Sequence, residues 1–319
     1  MSVYYQRIDV PVEGGTMVAG RWGNGGRVVI ASHGITANHL SWQRVGQILV
    51  ERSDGELNLV AVDHRGRAGS AELAGPFGLS RHADDLIAVL DHLGLTSAVM
   101  AGHSMGGFVV ALAAERHPTR VDELLLVDGG LPFPLDLPAD IDPDTLVRSV
   151  IGPALDRLDQ RWPDVESYLD FFRAHPAFQP PNRWTPTVEA YVRYDAVVGA
   201  DGLIRSSVNK DAVLVDGGAA VTDPDSFSAI FRIDQPSTLL WAPWGLLDQE
   251  PGLYPADSID TAAAELTHLE VVLVEDTNHY SILIDDLGAV AVTDTVRRLS
   301  APVQPAASSI GPGSGETYT

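Results

Sequence analysis

The stretch Ala101-Gly102-His103-Ser104-Met105-Gly106-Gly107 decides how this chain is read. It closes an apolar segment, Ala98–Gly102, of strand-like composition and opens a helical pattern running from Met105 to His117. G-x-S-x-G between a strand and a helix sets the serine on a tight turn, with its hydroxyl exposed at the strand's end. The glycines let neighbouring backbones pack closely, and the helix N-terminus aims N–H groups at a developing negative charge. The bare pattern recurs by chance. Its strand–turn–helix setting, with Ala111, Ala113 and Ala114 on the helix that must pack closely, makes Ser104 a candidate nucleophile.

Outward from this turn, strand and helix patterns alternate, as βαβ units do. Upstream lie a hairpin (Tyr4–Val12 and Thr16–Trp22, joined at Gly14-Gly15), a strand Val28–Ser32, a helix from about Trp42 to Ser53 and a strand Leu57–Asp63. A helix over Ser80–Leu93 carries Leu86, Val89, Leu90 and Leu93 on one face. Strand Leu124–Val127 follows the turn, and there the rhythm stops. From Leu131 to Asp234 the chain is Pro- and aromatic-rich and reads as helical. Strand Thr238–Trp241, helix Ile259–Leu266, strand Leu269–Val274 and a helix around Leu287–Leu299 complete the pattern. The expected architecture is α/β: one core domain from residues 1–130 and 236–300, with a helical cap (residues 131–235) inserted over the strands' C-terminal edge. Residues 301–319 are low-complexity and read as a tail.

Charge and composition narrow the function. With 21 basic against 43 acidic residues the formal charge is −22, which repels nucleic acid and anionic membrane surfaces. There is no cysteine, hence no disulfide framework and no thiolate nucleophile. Neither a signal-peptide pattern at MSVYYQRIDV nor a long apolar run is present, so a cytoplasmic location is expected. The single lysine, Lys210, belongs to no phosphate-binding loop, and the arginine bias suggests a bacterial genome rich in G and C. No HExxH or His-x-His pattern suggests a metal, and no GxGxxG follows a strand, so no cofactor is expected.

Over nearly its whole length the chain resembles capped enzymes of the α/β-hydrolase fold, which implies a mostly parallel eight-stranded sheet flanked by helices. His279, in Thr277-Asn278-His279-Tyr280-Ser281 just past the last strand, stands where that family keeps its catalytic histidine. Ser32-His33-Gly34-Ile35 resembles the family's turn after the third strand, which assigns the N–H groups of Ile35 and Met105 to an oxyanion hole and leaves His33 structural. Asp63-His64-Arg65-Gly66 resembles a structural turn of the family, with Arg65 expected to pair an acid. Two aspartates compete to orient the histidine. Asp248 lies past strand Thr238–Trp241, where most of the family places its acid; Asp128 ends strand Leu124–Val127, a position used by a minority. Asp128 is favoured because Gly129-Gly130 leaves room for the imidazole.

Serine at the elbow argues against dehalogenase and epoxide hydrolase chemistry, which needs a carboxylate there. The cap carries eleven of the chain's 22 aromatic residues, most of them expected to pack its own core and a few to make the cleft apolar. Trp184, on a proline-flanked loop, is the candidate substrate contact. The reading is hydrolysis of an apolar carboxylic ester or lactone. An acid at the end of the strand after the elbow, beneath an aromatic cap, resembles the zearalenone lactone hydrolases. Two alternatives stay open: a carbon–carbon bond hydrolase using Arg193 or Arg205 for a substrate carboxylate, and a ligand receptor with little turnover. A homodimer is equally open.

Overall fold

The structure, a computed structural model, describes residues 4–134, 143–179 and 183–300; the tail expected at 301–319 lies outside them. Strands β1 (Tyr5–Val12) and β2 (Gly15–Trp22) form the hairpin, followed by β3 (Arg27–Ser32), α1 (Gln43–Arg52), β4 (Leu57–Val62), α2 (Leu79–His92), β5 (Ala98–His103), α3 (Met105–Arg116) and β6 (Val121–Val127). Next come α4 (Pro143–Arg157), α5 (Val165–Arg173), α6 (Pro186–Asp195), β7 (Ala196–Val198), β8 (Ile204–Ser206), α7 (Lys210–Thr222) and α8 (Pro224–Phe227). The chain then returns through β9 (Ser237–Trp241), α9 (Ala256–Glu265), β10 (Leu269–Leu273), α10 (Ser281–Ile284) and α11 (Asp286–Leu299).

Eight strands form one sheet in the order β1-β2-β4-β3-β5-β6-β9-β10, antiparallel at β1, β2 and β4 and parallel from β4 onward. Its central strands are apolar on both faces, as a sheet covered by helices on both sides requires. Ile30, Met100, Leu124 and Leu126 pack with α2, α3 and α9. Their alternates Val29, Ala31, Val99, Ala101, Leu125 and Val127 pack with α1 and α11. This places the C-terminal ends of β3, β5 and β6 side by side, and the residues that follow those strands converge.

The stretch between β6 and β9 is not wholly helical, as expected from sequence, but contains the short antiparallel hairpin β7–β8. Val197 and Val198 before the turn and Ile204 after it favour strand, and Gly202 supplies the positive φ, 79°, of the turn. Helix α4 breaks at Ile151, two residues before Pro153, whose ring cannot pack against the preceding turn.

A buried ion cluster ties this inserted stretch to the loop after β4 and to α2. Asp216 of α7 accepts hydrogen bonds from Arg67 (2.5 Å), from Gly78 N–H (2.6 Å) and from His82 (2.8 Å). Burial alone would raise the Asp216 carboxyl; His82 and Arg67 outweigh it and hold the group well below the usual carboxylate range. Asp216→Ala strands Arg67 and His82 in a dry site and is expected to cost about 3–5 kcal/mol of stability. A urea midpoint within error of the wild type would contradict this role.

Candidate active site

Ser104 sits between β5 and α3 with φ 56° and ψ −123°, a left-handed conformation that side chains adopt at a cost. Neighbouring backbones force the turn. A Cβ on Gly106 would lie 2.3 Å from Ser32 O, and one on Gly129 would lie 2.2 Å from Ser104 O. Ser104 N–H donates to Val127 O at 3.0 Å, so β6 holds the turn as well. Met105 is the first residue of α3, and the leading N–H groups of a helix have no partner within it. On the other side Gly34 and Ile35 follow β3, and Ile35 O accepts from Arg67 Nε at 3.0 Å. Ile35, Ser104, Met105 and His279 share one cavity wall.

The two competing aspartates part company. Asp128, at the end of β6, is fully buried, with its Oδ2 2.7 Å from His279 Nδ1 and its Oδ1 accepting from Ala242 N–H at 3.1 Å. Asp248 instead meets Arg183 at 2.6 Å and the Asn278 side-chain amide at 2.7 Å. The imidazole of His279 is therefore held by Asp128. Because that carboxylate accepts from Nδ1–H, Nε2 keeps its lone pair.

Two supporting residues escaped the sequence reading. Asn278 braces the histidine loop: its Oδ1 accepts from Tyr280 and Ser281 N–H at 2.9 and 2.8 Å, and its amide donates to Ala177 O at 3.1 Å. An asparagine just before a short helix is a capping signal that could have found it. His103, the variable residue of the elbow, donates from Nε2 to His279 O at 2.8 Å. No pattern in the sequence points to that contact.

Two recesses open to solvent, enclosing about 520 and 450 Å³ of space that includes part of that solvent, flank Ser104 and His279. Ile35, Ile151 and Leu246 line both. The larger also has Ser41, Tyr191 and Tyr280 in its wall; the smaller is closed by Phe108, Phe133, Val147 and Ala220. Trp184 lines neither. Arg173 lies over its ring at 5.2 Å and Phe178 packs edge-on at 6.3 Å, which draws the indole into the aromatic cluster of α5 and its neighbours. Nor do Arg193 and Arg205 reach the cavities: Arg193 pairs with Glu166 and Glu189, and Arg205 donates to Ser206 O. Arg65 is bidentate to Asp85, at 2.5 and 2.8 Å. Among the described residues no group of three His, Asp or Glu could hold a metal ion, and no helix is long and apolar enough to cross a membrane.

Residues 27–286 match the family model of the alpha/beta hydrolase fold. The chain belongs to that family. Among solved structures, E-2-(acetamidomethylene)succinate hydrolase aligns with TM-score 0.69 at 18% identity, over 92% of this hydrolase-fold chain and all (100%) of that one. The thioesterase domain of the curacin biosynthetic pathway aligns with TM-score 0.67 at 20% identity, over 92% and 99%. A putative carbamate hydrolase of Caulobacter segnis is 35% identical over 117 residues, 36% of this chain and 40% of its own length. A bifunctional esterase/perhydrolase of Acinetobacter calcoaceticus is 30% identical over 131 residues, 41% of this chain and 46% of its own. The hydrolase-fold chain thus spans about half or less of the curated relatives it matches.

Three histidines around the elbow are neutral in this fold. Burial is the main cause in each: it lowers the pKa of His33 to about 3 and pushes His64 and His103 well below the ordinary value. In the unfolded chain each takes its proton near pH ~6.5, so the stabilisation is complete above that pH. It is lost as pH falls, by about 1.4 kcal/mol per pH unit per histidine. The urea midpoint is expected to drop steeply between about pH 6 and pH 4; a flat midpoint across that range contradicts the burial of neutral rings.

Proposed function

We propose that this protein is a serine-dependent carboxylic ester hydrolase acting on an apolar ester or lactone. The observation that carries the reading is the 2.7 Å contact of Asp128 with His279 Nδ1, which leaves the Nε2 lone pair free beside the cavities that Ser104 lines. Ser104 Oγ attacks the carbonyl carbon while His279 Nε2 takes its proton. The resulting oxyanion is held by the N–H groups of Ile35 and Met105, each such donor being worth about 3–4 kcal/mol. The tetrahedral intermediate expels the alkoxide, which receives the proton from His279. Water, deprotonated by the same imidazole, then releases the acid and restores Ser104.

Residues 131–235 act as a cap on a core of 1–130 and 236–300, supplying Ile151, Tyr191 and Ala220 to the cavity walls. Those walls are dominated by apolar side chains, which supports an apolar substrate. Relatives named as an esterase and as putative carbamate hydrolases support acyl chemistry at such a site. The acid at the end of β6, 24 residues after Ser104 (128 − 104), resembles the arrangement of the zearalenone lactone hydrolases, and on that resemblance zearalenone is the first trial substrate. A mass-spectrometric time course with zearalenone and a panel of aryl esters tests the reading. Serine-dependent gain of one water by any of them supports hydrolysis; stoichiometric binding without turnover across the panel overturns it in favour of a receptor.

A further inference from the structure

One of the two donors assigned to the oxyanion hole is held by a side chain that the reaction itself does not use. Ile35 N–H makes no hydrogen bond to any described residue, so it is available to a developing oxyanion. The peptide that carries this N–H is fixed through its carbonyl. Gly34 O accepts from His33 Nδ1 at 2.7 Å and from Ala37 N–H at 3.1 Å. The following peptide is fixed by Arg67, whose Nε donates to Ile35 O at 3.0 Å. Ile35 is thus gripped on both sides of its Cα.

Arg67 is fully buried, and its Nη1 donates to Arg65 O at 2.8 Å and to Asp216 Oδ2 at 2.5 Å. Asp216 belongs to α7, in the stretch inserted between β6 and β9. The same helix presses on the Ile35 side chain: a Cβ on Gly217, next to Asp216, would lie 3.2 Å from Ile35 Cδ1. Stability alone is a poor reason for such a pair. Burying two charges is costly, and apolar replacements of similar volume often hold a fold as well or better. What the pair adds is a fixed N–H donor on the Ile35 carbonyl, which an apolar contact cannot supply.

We infer that Arg67 is a positioning residue of the oxyanion hole: it sets the Ile35 backbone so that its N–H faces the reacting carbonyl oxygen, and Asp216 locks it in that pose. The inference rests on the reading of Ser104 as nucleophile and Ile35 as oxyanion donor. Arg67 lines neither recess at Ser104 and moves no proton. It acts by keeping the donor aimed while charge grows on the oxygen, a bond that weakens steeply with misalignment. Because Asp216 comes from the inserted stretch, that stretch helps to build the reacting end of the site as well as its walls.

The test is the second-order rate constant for labelling by a fluorophosphonate, a probe that needs no knowledge of the natural substrate. Ser104 Oγ attacks phosphorus, fluoride leaves and the serine proton passes to His279. On the way the phosphoryl oxygen gains charge in the oxyanion hole. Arg67→Met removes the donor but strands Asp216 and endangers the fold. Arg67→Met combined with Asp216→Asn leaves neither charge of the pair, and the amide oxygen can still accept from Gly78 N–H. The double variant therefore carries the test if the single one does not fold. It is expected to label to completion, about tenfold or more slowly than wild type. The midpoint of its pH–rate profile is expected to stay in place, because Asp128 still holds His279. The extent of labelling counts folded sites, so a merely structural role lowers the extent or the melting temperature and not the rate per site. A rate per site within about twofold of wild type overturns the positioning role and leaves the nucleophile standing. A slower rate whose midpoint has moved overturns it too, since the loss then lies in the base. No labelling of the wild type overturns the nucleophile, and the positioning role with it.

Discussion

Ser104→Ala is expected to lower kcat by about 10⁴–10⁶-fold and to abolish fluorophosphonate labelling, with the fold intact. The size follows from the way nucleophile and base act as a unit: without the hydroxyl there is no acyl-enzyme, and His279 has no proton to take. Survival of the fold follows from the backbone. Serine and alanine carry the same Cβ, so the cost of holding φ at 56° is common to both. Circular dichroism and the urea midpoint check the second half of the statement. Residual turnover above a hundredth of wild type would remove Ser104 from the mechanism.

Asp128→Asn and Asp248→Asn are expected to differ by orders of magnitude. Asp128 accepts from His279 Nδ1 at 2.7 Å and is locked by Ala242 N–H at 3.1 Å, so it fixes both ring orientation and tautomer. An asparagine amide there can present its N–H₂ to Nδ1, which favours the wrong tautomer and is expected to cost about 10⁴-fold in kcat. Asp248 touches the Asn278 amide and Arg183 but not the imidazole. Its asparagine variant is expected to lose stability through the stranded Arg183, which is 7% exposed, and far less of kcat. Comparable losses of kcat in the two variants would place the acid elsewhere.

Much of this site is legible in the residues themselves, because the elbow is a local object. Gly102, Ser104 and Gly106 mark the turn because they stand between a strand pattern and a helix pattern, and β-branched and leucine-rich runs on either side specify a buried parallel sheet. His279 follows from its place after the last strand. The choice of acid was not decidable from spacing, since Asp128 and Asp248 both follow strands of the same sheet; it depends on where the loop after β10 aims its imidazole. Trp184 shows a different gap. A loop aromatic among prolines resembles a cleft residue, yet Arg173 and Phe178, distant from any motif, hold its ring elsewhere. The hairpin β7–β8 is three residues a side, below the length at which alternation can be told from a helical pattern. His103 was invisible because its partner is a backbone carbonyl 176 residues away.

The conformation of Ser104 sets stability against activity at a single position. A glycine would adopt φ 56°, ψ −123° without the penalty a side chain incurs, about 1–3 kcal/mol. Selection for thermal resistance alone therefore drives this codon toward the one substitution that relaxes the turn and deletes the hydroxyl. Any programme of directed evolution on this protein must score turnover and melting together, or its most heat-tolerant survivors will be inert.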